Sequence, residues 1–255
     1  MTRFVGALAV FAGVIGVWWL ASEFGWVNAF LLPAPDKVAE TLVDLASAGA
    51  LSKHVLISLR RVAIGYVLAV AIAIPLATFF SLSATLRNLF EPLVEFARQI
   101  PPLAMTPLLI LWLGIGEMQK VGIIMLACFF PIFLGVRGGI TGVDRKLVEV
   151  GKVCGLGRGE IMYRVVLPCA MPSMAVGLRI GLGYSWRALV GAELIASSAG
   201  LGYMIVDAEN LSRTDIVLAG ILVIGVIGLI ADYALKSTIS YLAPWLAGEL
   251  EMARA

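Results

Sequence analysis

The sequence predicts an all-α integral membrane protein with six transmembrane helices. Three observations carry that expectation. Of 255 residues, 60% are hydrophobic and only 14% charged, against roughly 45–50% and about 25% in an ordinary soluble domain. Mean hydropathy is +0.97, more apolar surface than one packed core of this length hides, so a second apolar solvent, the bilayer, is needed. Apolar runs of about 20 residues, the length that crosses a hydrocarbon core as a helix, recur between polar or Pro- and Gly-bearing stretches.

Taken in order, the first run is Phe4 to Ala21. Arg3 before it resembles the basic region of a signal peptide, but the run is long for that role and Trp18, Trp19 and Glu23 make no small-residue cleavage site. It reads as a span. Residues 22–57 are more polar and contain the segment Leu32 to Val38, LPAPDKV, whose prolines stop a helix and whose Asp36 suits the start of the next. From Lys37 to Leu51, Val38, Leu42, Leu45 and Ala46 recur near helical spacing; an interfacial amphipathic helix and a plain extramembrane linker fit equally. The second span is Val62 to Leu82, introduced by Arg60 and Arg61. The third, Leu93 to Gly114, carries Pro101, Pro102 and Pro107 and is expected to be kinked or broken. The fourth is Val121 to Val136, the fifth Met174 to Ala196, the sixth Ile216 to Leu235, and the tail from Lys236 to Ala255 reads as surface-bound.

Residue types exclude several functions. Cys128, Cys154 and Cys169 form no CxxC pair, and His54 is the single histidine, so neither a disulfide framework nor a His/Cys zinc site is expected. A Ser-His-Asp site would have only His54, far from any GxSxG-like turn. No GxxxxGK[ST] occurs, so the chain does not bind ATP by a P-loop. Net charge of +2 gives no electrostatic case for nucleic acid.

Orientation follows the Lys/Arg bias of short loops. With six spans both termini share a face, and that face collects ten Lys and Arg against four on the other, or six counting Arg60 and Arg61 at its edge. The termini and loop 137–172 are therefore expected in the cytoplasm, where free thiols persist.

That loop is the most informative stretch. Asp144 to Val153 supports a short helix with Asp144 as N-cap and with Leu147, Val150 and Cys154 on one face. Gly155 to Gly159 breaks it, Ile161 to Val166 suits a second helix, and Pro168 and Pro172 are expected to end the unit. A docking surface for a cytoplasmic partner and a helix pair lying on the membrane fit the pattern alike. The spacing Glu149-x5-Gly155-x9-Val165-x-Leu167-Pro168 is similar to the EAA motif of ABC importer permeases, with Val150 and Gly151 where that family often has alanines. The resemblance runs through LPAPDKV (32–38), SLRRVAIGY (58–66), PPLAMTPLLILWLGIGE (101–117), GLRIGLGYSW (177–186), ELIASSAGLGYMI (193–205), TDIVLAGI (214–221) and APWLAGE (243–249). These segments resemble one subgroup, permeases for taurine, aliphatic sulfonates, nitrate, bicarbonate and thiamine-precursor pyrimidines, the last three segments most of all its taurine branch.

The resemblance implies a type I importer permease fold in the bacterial inner membrane. It implies a second copy of the chain, two ATP-binding cassette ATPases that hold the ATP and Mg, and a periplasmic or lipid-anchored solute-binding protein. No cofactor is expected in this chain and no catalysis by it. Glu149, Val150, Gly151, Gly155, Leu167 and Pro168 would form the coupling element, Glu149 facing a cationic ATPase residue and Gly155 making the turn, though Gly155 also reads as an ordinary helix cap. The expected organisation is an N-terminal span with a periplasmic amphipathic segment (1–57), a permease core (58–235) and a cytoplasmic tail (236–255).

Charges within spans mark the candidate substrate pathway, because they are costly in lipid and face a bundle interior or cavity. Arg179, Arg187 and Glu193 lie in the fifth span. Arg187, nearest the midplane, is either one half of an interhelical pair or an anion contact supported by Tyr184, Ser185 and Trp186. Pro101 and Pro102 either line the pathway as a broken helix or are simple kinks. Gly177 and Gly181, at GxxxG spacing, read as helix packing. Taurine or another alkanesulfonate is the expected solute, with nitrate, bicarbonate or a thiamine-precursor pyrimidine behind it. A membrane scaffold or embedded enzyme is disfavoured, since the spans hold no cluster of His, Asp, Glu or Cys.

Overall fold

A computed structural model describes residues 2–246, which are mostly helical, with no strand among them. The elements are α1 (Thr2–Glu23), α2 (Pro35–Ser47), α3 (Ala50–Leu82), α4 (Ala84–Arg98), α5 (Thr106–Leu113), α6 (Glu117–Thr141), α7 (Arg145–Val153), α8 (Arg158–Ile161), α9 (Leu167–Ala196), α10 (Leu201–Asn210) and α11 (Thr214–Leu242). Among the described residues four rods are long and apolar enough to cross a membrane: α3, α6, Arg158–Ala196 and Thr214–Tyr241. A bent pair, Thr85–Arg98 with Pro102–Leu113, makes five if it is one span, and Ala9–Glu23 is a shorter apolar helix. Apolar side chains such as Phe11, Phe79, Leu111 and Leu229 point outward, as expected where the surrounding solvent is hydrocarbon.

Several helices overrun their apolar runs, because hydropathy reports bilayer depth and says little about where a helix stops. The second span begins at Ala50 and extends α3 to 33 residues, about 50 Å at 1.5 Å per residue, well over the hydrocarbon thickness. The sixth continues to Leu242, so Lys236 belongs to helix; the end of the expected tail, 247–255, lies outside the described residues. The third run breaks as its prolines predict: α4 and the segment after Pro101 meet at 86°, since a residue before proline leaves the helical region and proline supplies no N–H. One expectation is overturned. Pro168 and Pro172 do not end the loop, because helix continues from Arg158 to Ala196 through the π turn Met162–Val166. The widened turn just before Pro168 opens the carbonyl ladder where the proline ring would clash.

The chain forms two compact units, one from residues up to Ser58 with Glu193–Ile227, the other from Leu59–Ala192 with the chain from Gly228. In the second, α3, α6 and α9 pack through small residues. Ala69, Ala73 and Ala77 of α3 are fully buried. A Cβ on Gly135 would lie 2.6 Å from the Cα of Gly177, and one on Gly139 2.7 Å from the Ala170 carbonyl oxygen. The two backbones thus touch, the contact that small residues permit in lipid, with Cys128, Ile132, Phe133 and Val136 filling the seam. In the first unit, Val38 and Thr41 are the buried residues of α2, and the Thr41 hydroxyl donates to the Asp215 carboxylate of α11 at 2.9 Å.

Candidate coupling surface and membrane groove

Loop 137–172 folds around α7. The Asp144 side chain accepts from the Lys146 N–H at 2.9 Å and caps the helix start. Val148 packs toward the core, and Gly151 is buried where a Cβ would stand 3.2 Å from the Ile161 side chain, so a glycine here lets α7 lie close to α8. On the other face Leu147, Val150 and Val153 are 46%, 59% and 88% exposed, and Glu149 is exposed beside them. The helix ends in a Schellman turn. Gly155, at φ +76°, donates to the Lys152 carbonyl at 2.9 Å, and the Leu156 N–H reaches the Gly151 carbonyl at 3.1 Å. The Gly157 N–H then donates to the Glu160 carboxylate at 3.0 Å. Leu167 is half-buried and Pro168 exposed where the rod enters α9. The arrangement supports the inner face of a short helix and leaves its apolar outer face uncovered.

The second candidate lies on α9. Tyr184 and Arg187 share an exposed face with Ile180 and Gly183, and together with Arg179, Leu229 and Asp232 they line a groove of about 460 Å³. Arg179 forks onto Asp232, its Nε and Nη2 each 2.6 Å from a different carboxylate oxygen. Arg187 makes no ion pair among the described residues; its guanidinium carbon lies 5.4 Å from the centre of the Tyr184 ring. Pro102 lines a cleft of about 480 Å³ on the other flank of α9 with Arg98, Ser173 and Tyr184. Pro101 precedes the 3₁₀ turn Pro102–Met105 and lines neither space.

Two of the expected groove residues are elsewhere. Ser185 is fully buried and donates to the Leu182 carbonyl at 2.7 Å. Trp186 packs with Val62, Ile124 and Leu189, against the backbone of Gly228. Successive helical residues point about 100° apart, so a run such as YSWR cannot face one cavity. Asp232 was not singled out in the sequence, although a lone acid in the apolar run ILVIGVIGLIADYAL is the signal that an intramembrane cation has a partner.

Glu193 is answered differently. Its carboxylate is 1% exposed. It accepts from the Ser58 hydroxyl at 2.8 Å and from the Gly202 N–H at 2.8 Å, while the Leu201 N–H donates to Ser58 at 2.9 Å and the Gly200 N–H to His54 Nδ1 at 3.0 Å. The negative end therefore sits on the first turn of α10, where unpaired N–H groups and the helix dipole favour it. Glu193 and His54 are anchors of the α9–α10 turn.

The sequence profile of the family described as binding-protein-dependent transport system inner membrane component matches residues 65–237, which include the whole of loop 137–172 and both lined spaces. The chain belongs to this family. It is 36% identical over 250 residues to the taurine transport system permease protein of Escherichia coli, covering 96% of this chain and 90% of that one. It is 36% identical to a putative aliphatic sulfonates transport permease protein of Bacillus subtilis (92% and 85% covered), and 29% identical to the nitrate import permease protein of Synechocystis (79% and 76%). The MetNI methionine ABC transporter in an inward-facing conformation contains a chain of the same fold, with TM-score 0.64 at 16% identity, covering 76% of this permease and 94% of that chain.

Proposed function

We propose that this permease carries a small sulfonate, taurine first, across the inner membrane as one of two identical subunits driven by two separate ATPases and fed by a solute-binding protein. The observation that carries the solute is the pairing of close relatives named for taurine and for aliphatic sulfonates with a membrane groove whose unneutralised charge is Arg187. A sulfonate stays anionic at neutral pH, so a single midplane cation offsets its desolvation without holding it too tightly to leave. Nitrate is the lesser alternative, favoured only by the more distant nitrate import relative.

The rest of the mechanism is read from the loop. Leu147, Val150 and Val153 expose an apolar strip on an extramembrane helix, an arrangement that marks a partner surface. Residues 144–159, with Glu149 in the strip and Leu167 and Pro168 joining it to α9, dock into the ATPase and pass its movement to the groove-lining helix. Six spans place both termini in the cytoplasm with this loop.

The test is ATP-dependent uptake of labelled taurine by the reconstituted complex, with Arg187→Gln as the variant. Uptake at least several-fold below wild type in an assembled complex is expected. Unchanged uptake with Arg187→Gln, or a wild-type complex that imports nitrate and no sulfonate, overturns the proposal.

A further inference from the structure

We propose that His54 is a pH-sensitive catch on the turn between α9 and α10, closed while its imidazole is neutral and released when the ring takes a proton. Three consecutive N–H groups open α10, and each is met by a side chain, since the helix itself offers them no acceptor. Gly200 donates to His54 Nδ1 at 3.0 Å, Leu201 to the Ser58 hydroxyl at 2.9 Å and Gly202 to the Glu193 carboxylate at 2.8 Å. His54 and Ser58 stand four residues apart on α3 and so share a face. The turn closes tightly over Glu193: at φ +118°, a Cβ on Gly200 would lie 2.2 Å from a carboxylate oxygen.

Of these three side-chain types only histidine ordinarily titrates between pH 5 and 8. An Nδ1 that accepts belongs to a neutral ring with its proton on Nε2. The imidazolium carries N–H on both nitrogens and accepts at neither, so protonation and the Gly200 bond exclude one another however the ring turns. His54 is half-buried, open enough for solvent protons to reach it. The charges around it are Lys53 on α3, which opposes a second cation, and Glu193 and Asp207, at the end of α9 and on α10, which favour one. The Tyr203 ring lies 6.1 Å away, centre to centre, and its hydroxyl is directed to Asp207 at 3.4 Å. The two carboxylates put the proton within reach, but neither they nor Tyr203 returns a ring acceptor to Gly200. The bond therefore holds above the histidine range and is lost as the pH falls through it. If only the open turn takes the proton, at about pH 6.5, opening becomes roughly tenfold more favourable between pH 7.5 and 5.5.

Hydrogen–deuterium exchange of the assembled permease–ATPase complex in nanodiscs tests the catch, read on peptides covering residues 198–205 and corrected for the chemical exchange rate at each pH. Wild type should lose several-fold protection, at most about tenfold, between pH 7.5 and 5.5. His54→Asn keeps a non-titrating acceptor oxygen on the same branch of the side chain and should hold its protection at both pH values. His54→Leu has no acceptor and should be poorly protected at both. Because His54 is the single histidine, an untagged permease labelled with 15N-histidine and assembled with unlabelled ATPases reports this ring alone. It should show the Nε2–H tautomer at pH 7.5 and a doubly protonated ring at pH 5.5.

An equal acid loss in wild type and His54→Asn overturns the catch, since the sensitive group then lies elsewhere. So does wild-type protection that stays constant across this range, whether the ring is protonated or not, and so does an Nδ1–H tautomer at pH 7.5. His54→Leu with wild-type protection at pH 7.5 would show that the Gly200 bond does not hold the turn. Should either variant fail to assemble, the tautomer and the pH response of the wild-type complex still decide.

Discussion

Gly155 and Glu149 bear on the proposed coupling turn in different ways. A Cβ on Gly155 would meet nothing within 4 Å, so any cost of substitution is conformational and arises from φ +76°. A β-branched residue there is strained by about 1–3 kcal/mol, whereas asparagine adopts left-handed backbone readily. Gly155→Val should therefore lower coupled ATP hydrolysis and uptake several-fold, and Gly155→Asn should retain most of both; equal loss in the two variants would mean the site needs space for its partner and the φ value is immaterial. Glu149 is exposed beside the apolar strip, so Glu149→Lys should leave the permease folded and reduce co-purification of the ATPase or uncouple its hydrolysis. Wild-type assembly and coupled uptake would remove Glu149 from the interface. The cap at Gly155 was legible in the sequence, because a glycine following an amphipathic nine-residue helix specifies its own cap. The groove was only half legible. Arg187 and Tyr184 stand three residues apart and share a face, but Ser185 and Trp186 were grouped with them by adjacency, which a helix undoes. The partner of Arg179 lies 53 residues away, and only the packing of α9 on α11 reveals it.

At the scale of elements, the close approach of α6 and α9 fixes where the groove-lining face points. A Cβ on Gly177 would lie 2.9 Å from the Cα of Gly135 and 3.0 Å from the Pro131 carbonyl oxygen. Both neighbours are backbone, so neither yields cheaply, and overpacking of this kind costs about 1–3 kcal/mol. Gly177→Leu should lower the Tm of the detergent-solubilised permease by several degrees, given roughly 2–4 °C per kcal/mol at this chain length. Gly138→Ala is the control, because its Cβ would meet only the Ser173 hydroxyl oxygen at 3.8 Å; a Tm loss as large as that of Gly177→Leu would show that the seam is not the determinant. The small-residue spacing announced this contact in the sequence. Helix ends were less legible. Polar residues of α3 such as Lys53, His54 and Ser58 look like linker by hydropathy, yet Ser58 is the hydroxyl on which Glu193 and the Leu201 N–H converge. Pro168, a stop signal by composition, is carried through a helix because the preceding turn is π.

For the whole molecule, the membrane path depends on whether the 86° pair α4–α5 crosses the bilayer or turns back within it. The charges at the ends of α6 decide the expectation. Near its start Glu117 receives the Arg61 guanidinium of α3 at 2.8 Å, and 20 residues later Arg137 pairs with Glu91 of α4. Twenty helical residues are about 30 Å, the thickness of the hydrocarbon core, so these two ion pairs are expected at opposite membrane faces. Glu91 of α4 stands at the Arg137 face, whereas α5 runs through Gly114 and Gly116 into the Glu117 face. The bent pair is therefore expected to pass from one face to the other and to count as a span. On that expectation three crossings, α3, α4–α5 and α6, separate Ala48, exposed between α2 and α3, from Cys154, exposed in the turn after α7. An odd number of crossings predicts opposite sides. The measurement uses a Cys169→Ser background, since Cys169 is exposed and Cys128 is buried. In intact cells a membrane-impermeant maleimide should label Ala48→Cys and spare Cys154; in inside-out vesicles it should label Cys154 and spare residue 48, with added ATPase subunits slowing the reaction at Cys154. Labelling of both positions from the same side would make α4–α5 a re-entrant loop, reduce the crossings between them to two, and remove the six-span topology.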